Sequence, residues 1–484
     1  MPDPFQTLSI ECASGILEHL SVADIARCEG VSRGWAVFVR QWMVSPGLRL
    51  HFQNDIGLSD RCDLKECAWY FKEQAAVQKH IERGEPCAVR EYKRAAVFIT
   101  AGNYCAWVEH KEGIFWQDLS YKPDGSLHPV MKLDAIVVDE NLHEQEKFVI
   151  LGASGHLLVR YRTLPGWTDE EPGVEDALFC LDTGSQLWCR RCHGVEQKYV
   201  PMLVGEDRVY FGTVTCGSGP SKLRAYALES GELLYDTETI VPHTNCFSGM
   251  DDTRGYRFGH PLEFLRAGKE ELILAFKTEV GFRNHMATIW LINGADGSLR
   301  QKTRALMIGG PSYVRVSPNR TAFSIISHRA YLPLIKVETF ARQSNGEFAS
   351  TCVDVIDPQT DCQPHLLSLD PFAGCILALE GDPASVHCSR LVEAVDPDTV
   401  SRIKVKTPAQ LLVSPRGHED RQLIPIGSCT ISLPPRSKRA RLRRPFPSRD
   451  SRLHHVRFTD GYRAVIQWVD GTIFVLDFAP GRYR

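Results

Sequence analysis

Apolar positions repeat at helical spacing through residues 8–94 and at strand spacing from Ala95 onward. Cys12, Ile16 and Leu20 fall on one helical face at steps of four, and Val31, Trp35, Phe38 and Trp42 keep helical spacing further on. Between them, Ser21-Val22-Ala23-Asp24 has the spacing of a capping box, which satisfies the free amides of a first turn, so a helix should begin near Val22. Three short helices are expected within residues 5–50. A fourth pattern, Leu64, Cys67, Ala68, Phe71, Ala75 and Gln78, opens with Asp63 as its cap and ends at Gly84 and Pro86, giving a helical linker within 51–94.

From Ala95 the chain reads as short β-branched and aromatic runs separated by Gly, Asp and Asn turns. One theme returns: a strand, a small or acidic turn, and another strand. Ala177 to Trp188 is the clearest copy, turning at Asp182-Thr183-Gly184. Weaker copies are Ala225 to Leu234, Trp290 to Leu299, Val355 to Thr360 and Val395 to Val400. Their drifting spacing suits the meanders of a β-propeller with insertions, whose outer hairpins need Gly where φ turns positive. The expected fold class is therefore a small all-α N-terminal domain plus a mainly-β domain over 95–484, a six- or seven-bladed β-propeller, with an array of sandwiches as the alternative. The last hairpin, Arg463 to Val469 and Thr472 to Phe478 around Asp470-Gly471, should close the ring against strands near Val97 and so remove free edges. Thr163 to Glu175 and Val241 to Arg257 interrupt the pattern as turn-rich insertions, suited to a recognition face or to variable surface.

With 484 residues, 43% hydrophobic and 24% charged, the composition is globular and long enough for two or three domains. A net charge of -3 excludes a general polyanion binder, yet it conceals one asymmetry. Arg436, Lys438, Arg439, Arg441, Arg443, Arg444, Arg449 and Arg452 face a single acid, Asp450, in a basic loop within 434–452, so that segment carries +7 and the remainder -10. Pro434, Pro435, Pro445 and Pro447 should hold it extended. Lys438, Arg439, Arg441, Arg443 and Arg444 have the density of a nuclear-import signal, and a solvated loop is the plain alternative. Nucleic acid is not an expected partner, because aromatics other than Phe446 do not interleave the cations.

Sixteen cysteines would suit a disulfide framework in a secreted chain, but the first residues carry acidic Asp3 and polar breaks where a leader has a basic start and an apolar run. Reduced thiols in the cytoplasm or nucleus are the expectation. No run approaches 18 apolar residues, so no membrane partner is expected. Cys189-Arg190-Arg191-Cys192-His193 matches the spacing that attaches c-type haem, but it continues a blade strand, and strand cysteines beside an incidental His are the preferred reading. Zinc would need a second Cys-x-x-Cys, and His454-His455 is an isolated doublet, so neither metal nor cofactor is expected. Nucleophile elbows, Walker loops and His-Glu-x-x-His helices are absent from the sequence, and no catalytic residue is assigned.

Leu8-Ser9-Ile10-Glu11, Ile16-Leu17, His19-Leu20, Asp24-Ile25, Arg27, Val31-Ser32-Arg33 and Trp35 stand in the order and register of an F-box, which this segment resembles. Ser9 replaces the family's usual Pro, and Gly15 and Gly30 sit where helix formers are common, each interior Gly costing ~1 kcal/mol. The resemblance implies docking on the Skp-family adaptor of a cullin ubiquitin ligase through Leu8, Ile16, Leu17, Leu20, Ile25, Val31 and Trp35. Physics agrees with docking, since a unit of roughly 40 residues cannot bury all its apolar surface unaided. An ordinary three-helix cap on the next domain is the alternative.

The Asp182 to Trp188 copy resembles the repeat of quinoprotein-like propellers, and Trp-Asp-repeat propellers are cousins, since blade-end Trp-Asp pairs are absent. Together the resemblances imply a non-catalytic substrate-recognition adaptor of a Skp-cullin-F-box type E3 ubiquitin ligase, its propeller binding an unidentified target protein. The alternatives are a quinoprotein-like oxidoreductase and a non-ligase propeller scaffold.

Overall fold

The computed structural model describes residues 8–18, 20, 22–47, 64–93, 95–109, 112–133, 148–152, 154–162, 174–194, 196, 199–213, 221–239, 262–267, 270–280, 285–308, 312–317, 320–328, 334–356, 367–372, 375–380, 385–393, 421–432, 453–459, 462–468 and 472–479. Four helices come first: α1 (Ile10–Glu18), α2 (Val22–Cys28), α3 (Arg33–Trp42), which runs into one π turn at Met43–Gly47, and α4 (Leu64–Arg83). The α2 boundary falls where the capping pattern puts it, although Ser21 itself lies outside the described residues. Ser9 has a local reason to replace a proline, because its Oγ accepts from the Cys12 N–H at 3.4 Å in the first turn of α1. Ser32 caps α3 in the same way through the Trp35 N–H at 3.2 Å.

Strand β1 (Ala88–Tyr92) follows directly, and the remaining strands form consecutive antiparallel meanders. Blade 1 holds β2 (Ala95–Ala101), β3 (Tyr104–Glu109), β4 (Gly113–Asp118) and β5 (Met131–Lys132). Blade 2 holds β6 (Phe148–Leu151), β7 (His156–Arg162), β8 (Val174–Cys180) and β9 (Ser185–Cys192). Blade 3 holds β10 (Tyr199–Val204), β11 (Arg208–Thr213), β12 (Ser221–Ala227) and β13 (Leu233–Thr239). Blade 4 holds β14 (Leu262–Ala267), β15 (Glu270–Val280), β16 (His285–Asn293) and β17 (Leu299–Met307).

Blade 5 is double. One meander, β18 (Ser312–Val316), β19 (Ala322–His328), β20 (Ile335–Arg342) and β21 (Phe348–Ile356), joins a second, β22 (Leu367–Asp370), β23 (Cys375–Glu380), β24 (Ser385–Glu393) and β25 (Arg421–Ser432). Their last strands pair in parallel, with Asp354 opposite Arg421. Blade 6 holds β26 (Leu453–Thr459), β27 (Arg463–Trp468), β28 (Ile473–Asp477) and, on its outer side, β1. The described residues thus form a mainly-β, six-bladed propeller counted by sheets, with six meanders of four strands and a seventh of three that β1 completes.

Closure differs from the sequence expectation. β28 pairs with β1, Ala88 opposite Asp477, and the strand that contains Val97 opens blade 1. The closing strand therefore comes from the stretch read as linker. Its Ala-Val-Arg-Glu-Tyr sequence conceals a strand because each face carries a charge, yet Arg90 is buried between Asp477 Oδ2 (3.3 Å) and the Leu119 carbonyl (2.8 Å). Arg463 supports the same seam, donating to Asp477 at 3.2 Å and to the Gly102 carbonyl at 2.8 Å.

The repeated turn has a single structural meaning. Gly184, Gly231, Gly297 and Gly346 each sit between the third and fourth strands of a meander with φ of +69°, +69°, +74° and +82°. A β-bulge accompanies each in the same hairpin, at Leu178/Phe179, Ala225/Tyr226, Leu291/Ile292 and Thr339/Phe340. The copy read at Val355 to Thr360 is displaced: Val355 and Ile356 end a fourth strand, and the equivalent turn is Gln343 to Glu347. The copy at Val395 to Val400 and the Asp470-Gly471 turn lie outside the described residues.

The fourth residue after three of these glycines reaches the next hairpin. Trp188 Nε1 donates to the Leu228 carbonyl (2.8 Å), Tyr235 OH to the Gly294 carbonyl (3.2 Å), and Gln301 Nε2 to the Phe348 carbonyl (2.7 Å). Apolar clusters fill the seams beneath: Tyr104 with Leu157 and Phe179, Leu158 with Phe211 and Tyr226, Tyr210 with Phe264 and Trp290, Leu274 with Phe323 and Phe340. Ile326 and Ile335 meet Leu369 and Ile376 inside the double blade, and Val475 meets Phe98 and Trp107 where the ring closes. Each such aromatic or aliphatic side chain contributes about 1.5–3 kcal/mol by leaving water.

Candidate functional site

The helical unit is built around one small core. Leu17 from α1, Val22 and Ile25 from α2, Val39 and Trp42 from α3, and Ala68, Phe71 and Ala75 from α4 pack together. The long helix is thus the fourth wall of the unit, which explains its apolar spacing. Glu29, buried at the end of α2, accepts from Arg40 Nε of α3 at 2.5 Å and pairs with Lys72 of α4. Burial pushes the Glu29 carboxyl up, and the hydrogen bonds and charges of Lys72 and Arg40 outweigh it and hold the group below its ordinary range.

The expected docking residues separate into three sets. Leu8, Ile16 and Val31 are exposed, at 38%, 44% and 62% of their surface. Leu20 and Trp35 are half-buried. Leu17 and Ile25 are fully enclosed in the unit's own core, so their chemistry is spent on folding the helices. Ile10 and Val37 join the exposed set, as does Trp69 on α4. Spacing alone gave helical faces without saying which face turns inward; Ala13 and Leu17, one step round from Ile16, identify the inner one.

The unit is fixed to the propeller by a short joint. Gly84, at φ +64°, ends α4; its N–H donates to the Ile81 carbonyl and the Glu85 N–H to the His80 carbonyl, both at 3.1 Å. Pro86 follows, and Cys87 already bonds to blade 6, its N–H donating to the Asp477 carbonyl at 2.7 Å. α4 also lies beside β24 and β25.

Cys189 and Cys192 lie three apart on β9, an odd step on a strand, and so point to opposite faces. Cys189 is exposed beside Tyr161 and Glu175, while Cys192 is buried with its thiol 3.1 Å from Asp176. That geometry cannot present both sulfurs to one haem edge. Asp176 is the centre of a buried network instead: Arg160 grips it in two places (2.6 and 2.8 Å) and Arg190 adds a third contact at 3.0 Å. Arg190 then lies 3.8 Å over the Tyr226 ring of blade 3. Burial pushes the Cys192 thiol up to about 12, with the Asp176 charge acting in the same direction.

Among the described residues no group of His, Cys, Asp and Glu has the arrangement of a metal site, and no helix is long and apolar enough to cross a membrane. The basic loop, including Lys438, Arg439, Arg441, Arg443 and Arg444, lies outside the described residues, as do nearly all of the two insertions.

No protein-family model and no curated protein matches the sequence. Among solved structures, the chain is similar to the WD40 domain of SCAP from fission yeast at 9% identity, covering 82% of this chain and 99% of that one with a TM-score of 0.40. It is similar to Kuenenia stuttgartiensis hydrazine synthase at 11% identity, with 80% and 96% covered and a TM-score of 0.39. The Dos1 propeller gives 11% identity, 80% and 95% covered, and a TM-score of 0.36. Likenesses this distant assign no function, and the propeller architecture stands on the strand order and the shared seams.

Proposed function

We propose that this chain is a non-catalytic adaptor: the N-terminal helices dock on the Skp-family subunit of a cullin ubiquitin ligase, and the propeller holds a target protein. The observation that carries this reading is the exposed apolar set Leu8, Ile10, Ile16, Val31 and Val37 on a small helical unit. The F-box-like order of the same segment supports it. The mechanism is proximity: a target held on the propeller meets a charged ubiquitin carrier at raised effective concentration, and bond making belongs to partner enzymes. Such a complex works in the cytoplasm or nucleus, which suits reduced cysteines and the import-like run at Lys438 to Arg444.

The test is affinity purification of the full chain beside Ile16→Asp plus Val31→Asp, read by mass spectrometry. These two residues are exposed, so the variant keeps its core. Skp-family and cullin subunits should be recovered with the native chain and lost with the variant. Equal recovery from both, or recovery from neither, would remove the ligase reading and leave a protein-binding propeller scaffold.

A further inference from the structure

The outer edge of blade 4 differs in charge from its neighbour. β17 is the last strand of its sheet, and no described strand pairs with its outer side. Arg300, Lys302 and Arg304 are exposed along it, and Arg342 at the end of β20 is exposed beside it. Arg300 and Arg342 bring guanidinium nitrogens to 3.8 and 3.7 Å from the point a Cβ on Gly346 would occupy, so two like charges share that turn. Among the described residues no carboxylate pairs with any of the four. On β13 the charges are matched instead: Asp236 by Arg224 at 2.8 Å and Glu238 by Lys222 at 3.8 Å.

Unmatched cations repel one another, and on a chain of net charge -3 they form a local exception. A strand edge also offers a row of unpaired N–H and C=O groups, which an extended peptide can complete while its alternate side chains meet pockets or charges. Lys302 and Arg304, two apart, share one face, with Lys302 lying 5.9 Å over the Trp290 ring. The bulge between Leu299 and Gln301 turns Arg300 to the other side, toward Arg342. An added strand would therefore meet cations on both of its faces. Base stacking is not provided for, because the nearby Trp290 is buried.

We propose that the outer edge of β17 takes an extended acidic peptide by strand addition, its carboxylates or phosphoryl groups pairing with Arg300, Lys302, Arg304 and Arg342. The inference is independent of what binds the helical unit and holds for a ligase adaptor or a plain scaffold.

The test uses the full chain and fluorescence anisotropy with four labelled probes: an alternating Thr-Glu peptide, its phosphoserine counterpart, a Thr-Lys peptide, and a single-stranded RNA of equal charge. Two chain variants are compared, one with all four cations changed to Ser and one with all four changed to Glu. Acidic peptide should bind the native chain and lose about tenfold or more in the Ser variant. Proline at alternate peptide positions, which deletes backbone N–H groups, should weaken it further. The Glu variant should acquire the Thr-Lys peptide, a gain that a misfolded chain would not give. Binding of both anionic peptides assigns carboxylate recognition, and binding of the phosphoserine peptide alone assigns phosphoryl recognition. The proposal fails if neither anionic peptide binds, if the variants bind as the native chain does, or if RNA binds more tightly through the same four residues; in the first case the cations serve only to keep strand edges from pairing.

Discussion

In the propeller the apolar clusters at the seams are each shared by two neighbouring meanders, whereas in the helical unit one cluster serves four helices and leaves Ile10, Val31, Val37 and Trp69 more than half exposed. The difference follows from topology. A sheet inside a closed ring has a neighbour on each face, so both faces are covered. A short helix packed on α4 has an inner face covered and an outer face left over, and nothing else in the described chain reaches it. Surface that folding leaves uncovered in one region is therefore available for association, while the other region offers its strand edges and loops.

The largest expected effect comes from cutting the chain at the joint between the two regions. A chain beginning at Ala95 lacks β1, and with it Arg90 and Tyr92, leaving buried Asp477 with one fewer cation and the closing seam open. It should fail to show a cooperative thermal transition, while a chain beginning at Glu85 should melt as the intact propeller does. If both melt alike, β1 is an accessory to closure and the ring is held by its apolar seams alone.

Charge should then separate the regions. Asp176→Asn leaves buried Arg160 and half-buried Arg190 without their carboxylate and should cost about 3–5 kcal/mol in urea denaturation. Asp24→Asn removes the exposed pair with Arg27 and should cost under about 1 kcal/mol.

A pH scan sharpens the same contrast. His328 is buried at the end of β19 against the Tyr313 ring, and burial pushes it down to about 4. The unfolded chain takes up that proton below about 6.5, so the folded state should be at full strength above that pH and lose about 3 kcal/mol as pH falls toward 4. His328→Phe, measured by denaturation at several pH values, should flatten that slope. Glu29 is depressed below its ordinary range, so its contribution is present above pH 4.5 and fades only at more acidic pH, in the helices. The smallest effect is expected from Val31→Ser and Val37→Ser, each within about 0.5 kcal/mol, because neither side chain is covered in the folded chain.

The elements most legible in the sequence are those where one residue type has a local conformational duty. Gly184, Gly231 and Gly297 marked their hairpins because positive φ admits little else. Gly346 escaped because its turn, Gln343-Ser344-Asn345-Gly346, has no acid in the two positions before the glycine, where each of the other copies has one. β1 escaped for a different reason: its buried face carries Arg90, whose burial depends on Asp477, a residue nearly the whole chain away. The helical faces were legible as faces, but inside and outside depended on α4, so Leu17 and Ile25 stood beside Ile16 and Val31 in the candidate set. The pairing of Trp188, Tyr235 and Gln301 with successive hairpins was hidden because the three share a position and a donor group but no side-chain class.

The joint at Gly84 has a mechanical consequence. A helix of 20 residues extends about 30 Å, so α4 is a lever whose short end is hydrogen-bonded into the blade that closes the ring. Swinging through five degrees at Gly84 would carry its far end about 2.6 Å, the scale of a lost side-chain contact. Whatever grips the helices therefore has its bearing on the propeller set at this left-handed residue together with the seat of α4 beside β24 and β25, and a β-carbon at Gly84 would strain the joint and shift that aim.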